Sequence, residues 1–190
     1  NGEQLLPRQR FSNSWVDRSP DGTKLVYASP RGLGSNWDIY VSNADGSEED
    51  RLTFSIGADI YPSWGPVSEK LVFVSGRDGN DEIYIINADG SGEARLTDGD
   101  AVDTAPHISP DGTMIAFTSD RDGNSEIYVM DIDGGNVRRL TNSEGTDELP
   151  RWSPDGQRIV FDSDASGNLD IYVMDADGAN TVRLTENPEG

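Results

Sequence analysis

Between residues 105 and 141 apolar positions fall into short runs separated by Gly, Pro and Asp. "APHIS" (105–109) leads into a Pro-Asp-Gly turn, followed by "TMIAFTS" (113–119). The loop "DRDGN" precedes "EIYVMD" (126–131), and "IDGG" precedes "NVRRLT" (136–141). Pro-Asp-Gly and Asp-Gly between apolar runs are hairpin signals, because Gly accepts the positive φ that tight turns need. No helical i, i+3, i+4 pattern survives for a useful length, since Pro or Gly interrupts every candidate. The pattern predicts four short antiparallel strands.

The same unit recurs along the chain. "DIYVSNADG" (38–46), "EIYIINADG" (82–90), "EIYVMDIDG" (126–134) and "DIYVMDADG" (170–178) are variants of one phrase. Tyr40, Tyr84, Tyr128 and Tyr172 are spaced by 44, as are Thr53, Thr97, Thr141 and Thr185, each closing an "RLT" triplet. Upstream stand "SPDGTKLVY" (19–27), "GPVSEKLVF" (65–73), "SPDGTMIAF" (109–117) and "SPDGQRIVF" (153–161). Leu25 lies 46 before Leu71, so the first repeat carries two extra residues, placed most simply in "SPRGLGSNW" (29–37). A tandem four-stranded unit of this length is the signature of a propeller blade. The expected fold is all-β: one β-propeller domain over 1–190, with four-stranded blades at approximately 12–53, 54–97, 98–141 and 142–185.

These phrases resemble the TolB-like, WD-like propeller repeats, and the resemblance covers nearly the whole chain. It implies a periplasmic or secreted protein acting as a protein- or peptide-binding scaffold, or a non-catalytic propeller attached to an enzyme. Two departures stand out: Gly-Pro-Val-Ser (65–68) replaces Ser-Pro-Asp-Gly in the second repeat, and such propellers commonly have more than four blades.

Charge narrows the partners. Thirty-five acids against 15 bases give a net charge of −20, which repels phosphate backbones and argues against nucleic acid. No apolar run is long enough to span a membrane as a helix, and "NGEQLLPRQRF" has no signal-peptide core. Cysteine is absent, which removes disulfides, thiol catalysis and zinc–thiolate sites.

Cation sites are the main chemical candidates. Asp120 and Asp122 alternate in "DRDGNSEIY" as hard-cation ligands do, and Asp78 stands in the matching "GRDGNDEIY". Gly falls at the fourth position and Asp131 at the twelfth, so this is no EF-hand. The loop reads first as a hairpin turn and second as a calcium site. A stronger set is "DIYP" (59–62), "DTAP" (103–106) and "DELP" (147–150), matched in the first repeat by Asn13. First strands of blades line a propeller's channel, which would put Asp59, Asp103, Asp147 and Asn13 around one mouth, holding calcium. The competing expectation is that each Asp caps its own loop.

The remaining repeated residues read as structural. Asp38, Glu82, Glu126 and Asp170 precede arginines 51, 95, 139 and 183 by 13, a spacing that lets acid and Arg pair across adjacent strands. Trp37, in the enlarged loop, is the candidate binding residue. His107 is the single histidine, and no nucleophile elbow, phosphate loop or metalloprotease motif occurs, so no catalytic residue is assigned. The expected function is a non-catalytic, protein- or peptide-binding scaffold, cation-stabilised. The alternatives are the propeller of a larger hydrolase or lyase, or a calcium-dependent carbohydrate-binding propeller. Exposed end blades would be covered by a homodimer joined head-to-tail into an eight-bladed ring.

Overall fold

A computed structural model describes residues 14–31, 36–67 and 69–186. Among them there is no helix. Sixteen strands form four antiparallel sheets, each with its strands in chain order. The first sheet contains β1 (Ser14–Arg18), β2 (Lys24–Ser29), β3 (Asp38–Asn43) and β4 (Asp50–Arg51). The second contains β5 (Asp59–Trp64), β6 (Lys70–Ser75), β7 (Glu82–Asn87) and β8 (Ala94–Arg95). The third contains β9 (Asp103–Ile108), β10 (Met114–Ser119), β11 (Glu126–Asp131) and β12 (Arg138–Arg139). The fourth contains β13 (Asp147–Trp152), β14 (Arg158–Ser163), β15 (Asp170–Asp175) and β16 (Val182–Arg183). The fold is therefore the four-bladed, all-β architecture that the repeat predicts. The last strand of each blade is shorter than "NVRRLT" suggests, pairing over two residues only.

First strands of neighbouring sheets touch one another, whereas the fourth strands touch no other sheet. First strands thus form the hub and fourth strands the rim. The middle strands are apolar on both faces because a blade lies on either side. Val26, Ala28, Ile39, Val41 and Leu52 of the first blade pack on Trp64, Leu71, Phe73, Tyr84 and Ile86 of the second. The same positions meet in two further clusters, around Phe117 and around Phe161.

Among the described residues, no strand of the first sheet contacts a strand of the fourth, so these strands form an open stack. Ile39, Ile83 and Ile127 are 0% exposed, while their counterpart Ile171 is 41% exposed and Leu184, at its side, 58%.

The hairpin chemistry is explicit at Ser109-Pro-Asp-Gly. Gly112 takes φ +75°, and its N–H donates to Ser109 O at 2.9 Å. Asp111 accepts from the Ser109 hydroxyl at 2.6 Å and from Thr113 N–H at 3.1 Å. In the second blade Gly65 N–H still donates to Lys70 O at 2.8 Å, so the Gly-Pro-Val-Ser variant keeps the hairpin without the aspartate.

Every first strand carries a bulge. Trp15, Tyr61, Ala105 and Leu149 adopt φ of 51°, 51°, 50° and 56° there. Pro62, Pro106 and Pro150 follow at the same break, where the ladder asks for no N–H and proline is tolerated. Four left-handed residues other than glycine at the hub are strained, at about 1–3 kcal/mol each.

Candidate functional site

The acids of the "DxxP" phrases sit where each blade joins the one before. Asp59 N–H donates to Trp37 O at 2.8 Å, Asp103 N–H to Asp81 O at 2.9 Å and Asp147 N–H to Ser125 O at 2.9 Å. Their carboxylates are buried at 0%, 2% and 2% exposure. Asp59 accepts from the Ser55 hydroxyl at 3.0 Å and pairs with Arg77 at 3.3 Å. Asp103 accepts both its bonds from Arg121 Nη2, at 3.0 Å. The carboxylates of Asp59 and Asp103 are thus each held by an arginine of their own blade. Asn13 lies outside the described residues. Among those described, no three Asp, Glu, His or Cys lie together as a metal site would require.

Asp59 and Asp147 each lie near the acid that opens the third strand of the preceding blade. Burial raises the Asp38 carboxyl above the usual range, Arg51 lowers it, and Asp59 adds a further upward push. Burial likewise raises Asp147, and Glu126 adds to it. At the first junction each acid has its own arginine, Arg51 for Asp38 and Arg77 for Asp59, and opposite charge offsets the repulsion.

The loop aspartates are occupied too. Asp78 and Asp122 accept the hydroxyls of Tyr84 and Tyr128 and pair with Arg95 at 3.3 Å and Arg139 at 3.4 Å. Burial, and then the Asp78 bond, push the Tyr84 phenol up to about 12. Asp120 accepts Val102 N–H at 2.8 Å. The "DRDGN" loop is a turn closed by Gly123 N–H on Asp120 O at 2.9 Å, with Gly123 at φ +112°.

The acid–arginine braces form in all four blades, at 2.9 Å for Asp38–Arg51, 2.7 Å for Glu82–Arg95, 2.6 Å for Glu126–Arg139 and 2.6 Å for Asp170–Arg183. Register places Arg139 opposite Tyr128, so the pair is diagonal. Two features escape the sequence reading. The "RLT" threonine accepts the N–H that follows the acid, at 2.9 Å for Ile127 on Thr141, and donates to the acid itself, at 2.5 Å on Glu126. The Asn of each "Gly-Asn" clasps the next inter-blade loop: Asn124 Nδ2 donates to Ser143 O at 3.2 Å and Gly145 O at 2.6 Å. Asn80 and Asn36 do the same one and two blades earlier. Their 44-residue spacing was the available signal.

Trp37 is half-buried against Trp15, with ring centroids 5.2 Å apart and planes at 67°. Trp15 lies 4.8 Å from Tyr61 and remains 37% exposed. The first and second blades thus bring three aromatic rings together at the hub, two of them on the strained left-handed residues.

His107 links blades: its Nδ1 accepts Trp152 N–H at 3.3 Å. Desolvation, then repulsion from Arg151, lowers its pKa to about 4. As pH falls the unfolded chain takes up this proton first, near pH 6.5. The stabilisation is therefore whole above about pH 6.5 and is lost as pH falls toward 4, by about 2–3 kcal/mol given the partial exposure of the ring. Urea melts of wild type and His107→Gln at stepped pH should converge in acid. Parallel curves would show that the ring does not carry this dependence.

A family model described as the TolB beta propeller domain matches residues 9–101, 57–148 and 101–189. A comparison with curated proteins finds no match. Among solved structures, a putative TolB from Agrobacterium tumefaciens is 28% identical with a TM-score of 0.81, covering 90% of this chain and 65% of that one. TolB from Acinetobacter baumannii is also 28% identical, with a TM-score of 0.79, covering 93% and 44%. A puromycin-hydrolyzing peptidase from Mycobacterium tuberculosis, 16% identical with a TM-score of 0.71, covers 94% and 30% and shows the fold alone. The chain thus spans 65% and 44% of the two TolB chains.

Proposed function

Because the chain belongs to the TolB beta propeller domain family, we propose that it is a non-catalytic scaffold that binds a protein or peptide through its hub, in the periplasm or outside the cell. The observation that carries this is the aromatic group of Trp15, Trp37 and Tyr61, held at the hub by strained backbone. Rigid, partly exposed aromatic rings are what anchor a peptide side chain, since they offer large contact area at small entropic cost. Most of the repeated charged groups are consumed in bracing: an acid–arginine pair closes each blade, and Thr97, Thr141 and Thr185 donate to the acids of three of them. The titratable His107 acts as a main-chain acceptor between blades.

The proposal extends to assembly. The open face of the fourth blade presents Ile171 and Leu184 at positions buried by a following blade elsewhere. A second copy joined head-to-tail would continue this interface into an eight-bladed ring. Asp162 stands where Thr118 accepts Leu149 N–H of the next blade at 3.1 Å, so it carries an acceptor into that junction.

The binding proposal is tested with peptides selected from a displayed random library and resynthesised. Calorimetry should show selected peptides binding wild type and weakening at least about tenfold on Trp37→Ala or Trp15→Ala, the scale of an aromatic anchor. Peptides that bind the variants as well as wild type would move the site away from the hub.

A further inference from the structure

Three arginines of this chain occupy one kind of slot. Each guanidinium lies over a tyrosine ring, 4.5 Å from its centroid for Arg31 on Tyr40, 4.4 Å for Arg77 on Tyr84 and 5.0 Å for Arg121 on Tyr128. Each Nε donates at 2.8 Å to the serine that ends the second strand: Ser29, Ser75 or Ser119. Arg77 and Arg121 go on to the hub acids Asp59 and Asp103. Toward the rim, Arg31 and Arg77 meet Glu49 and Glu93.

The fourth blade keeps the slot and lacks the arginine. Tyr172, Ser163 and Asp147 stand at the equivalent places, Thr181 replaces the rim glutamate, and residue 165 is alanine. What the side chain fills elsewhere is here a cavity of about 350 Å³ lined by Asp147, Ser163, Ala165, Tyr172 and Thr181, with Phe161 behind. Asp147 is 2% exposed and its Oδ1 has no hydrogen-bond partner. Beside it, Glu126 has Arg139 at 2.6 Å, but Asp147 forms no ion pair among the described residues. Ser163 and Thr141 hydroxyls favour the charged form, but burial and Glu126 oppose it, and no cation balances the group; a cation placed on Oδ1 would offset that cost.

We propose that this cavity is a socket for a guanidinium group, supplied by an arginine side chain of another polypeptide. Filled slots in three sister blades give the chemistry of the occupant: a planar fork for the carboxylate and serine, and a flat face for the tyrosine. Lysine offers a compact ammonium without the fork or the stacking plane. A water would satisfy Oδ1 but bring no charge. The socket deepens the scaffold reading by naming one side chain of the partner, and it is separable from the aromatic group, which lies between the first two blades.

The test is calorimetric titration with N-acetyl-L-arginine methylamide, with the lysine analogue and free L-arginine as comparisons. Saturable binding is expected for the capped arginine, at least about tenfold weaker for lysine and in Asp147→Asn, the scale of losing a desolvated charge partner. Ala165→Arg should fill the socket from within, abolishing binding and raising Tm. Trp37→Ala should leave this binding unchanged while weakening hub peptides, so that failure of either site shows separately. Equal binding of lysine, survival of binding in Ala165→Arg, or no saturable binding to wild type would overturn the socket. Tighter binding of free arginine than of the capped form would overturn its assignment to a polypeptide.

Discussion

Replacing Glu126 by alanine should cost about 3–5 kcal/mol of folding stability, the scale of breaking a buried charge pair by removing one partner. Glu126 is 0% exposed. It accepts from Arg139 at 2.6 Å, Thr141 at 2.5 Å, Ser143 N–H at 2.9 Å and Asn124 at 3.2 Å. Four donors from the third strand's entry, the rim strand and the following loop converge on one carboxylate; alanine takes that acceptor from Thr141 and Ser143 N–H, while Arg139 keeps Asp122 and Asn124 keeps two carbonyls. Relief of its repulsion with Asp147 returns part of the loss, but a single charge–charge interaction at an effective dielectric near 20 does not outweigh the loss of the buried acceptor and of the Arg139 pair. Glu126→Gln, which keeps an acceptor oxygen, should fall between alanine and wild type. Urea denaturation measures both. A loss below about 1 kcal/mol, the range of an exposed ion pair, would mean that the brace is ornamental.

The second large effect is a contrast between identical residues. Ile127→Ala should cost about 2–5 kcal/mol, as deletions from a filled core do, whereas Ile171→Ala should cost under about 1 kcal/mol. Both are the first isoleucine of the third strand of their blade, but Ile127 is 0% exposed and Ile171 41%. The difference measures the missing neighbour and nothing else in the repeat. If the two variants cost the same, the fourth blade is covered in solution; light scattering on Ile171→Asp would then show the eight-bladed assembly falling to a single chain.

The blades were legible because the period is carried by residues with separate jobs, tyrosine in the stack and threonine in the brace, so that chance could not imitate both. The acid–arginine pairs were legible for the same reason. The hub acids were legible only in part: their spacing points to a shared position in each blade, but the arginines that hold Asp59 and Asp103 lie 18 residues along, across a hairpin, where no local rule pairs them. The Gly-Asn step was read as turn chemistry, which explains the glycine; the asparagine faces a neighbouring loop, a contact no local rule contains. The left-handed bulge residues were illegible in principle. Trp15, Tyr61, Ala105 and Leu149 share no side-chain property, so their φ is imposed by the hub and not by residue type.

Because the blades meet only their sequence neighbours, the molecule is energetically a one-dimensional lattice: each repeat has its own free energy, and each junction adds a coupling. The interior repeats have two couplings and the outermost described ones a single coupling each. The same arithmetic makes the length of such a chain evolutionarily cheap to change, since duplicating a unit adds one self-term and one junction and leaves the others untouched.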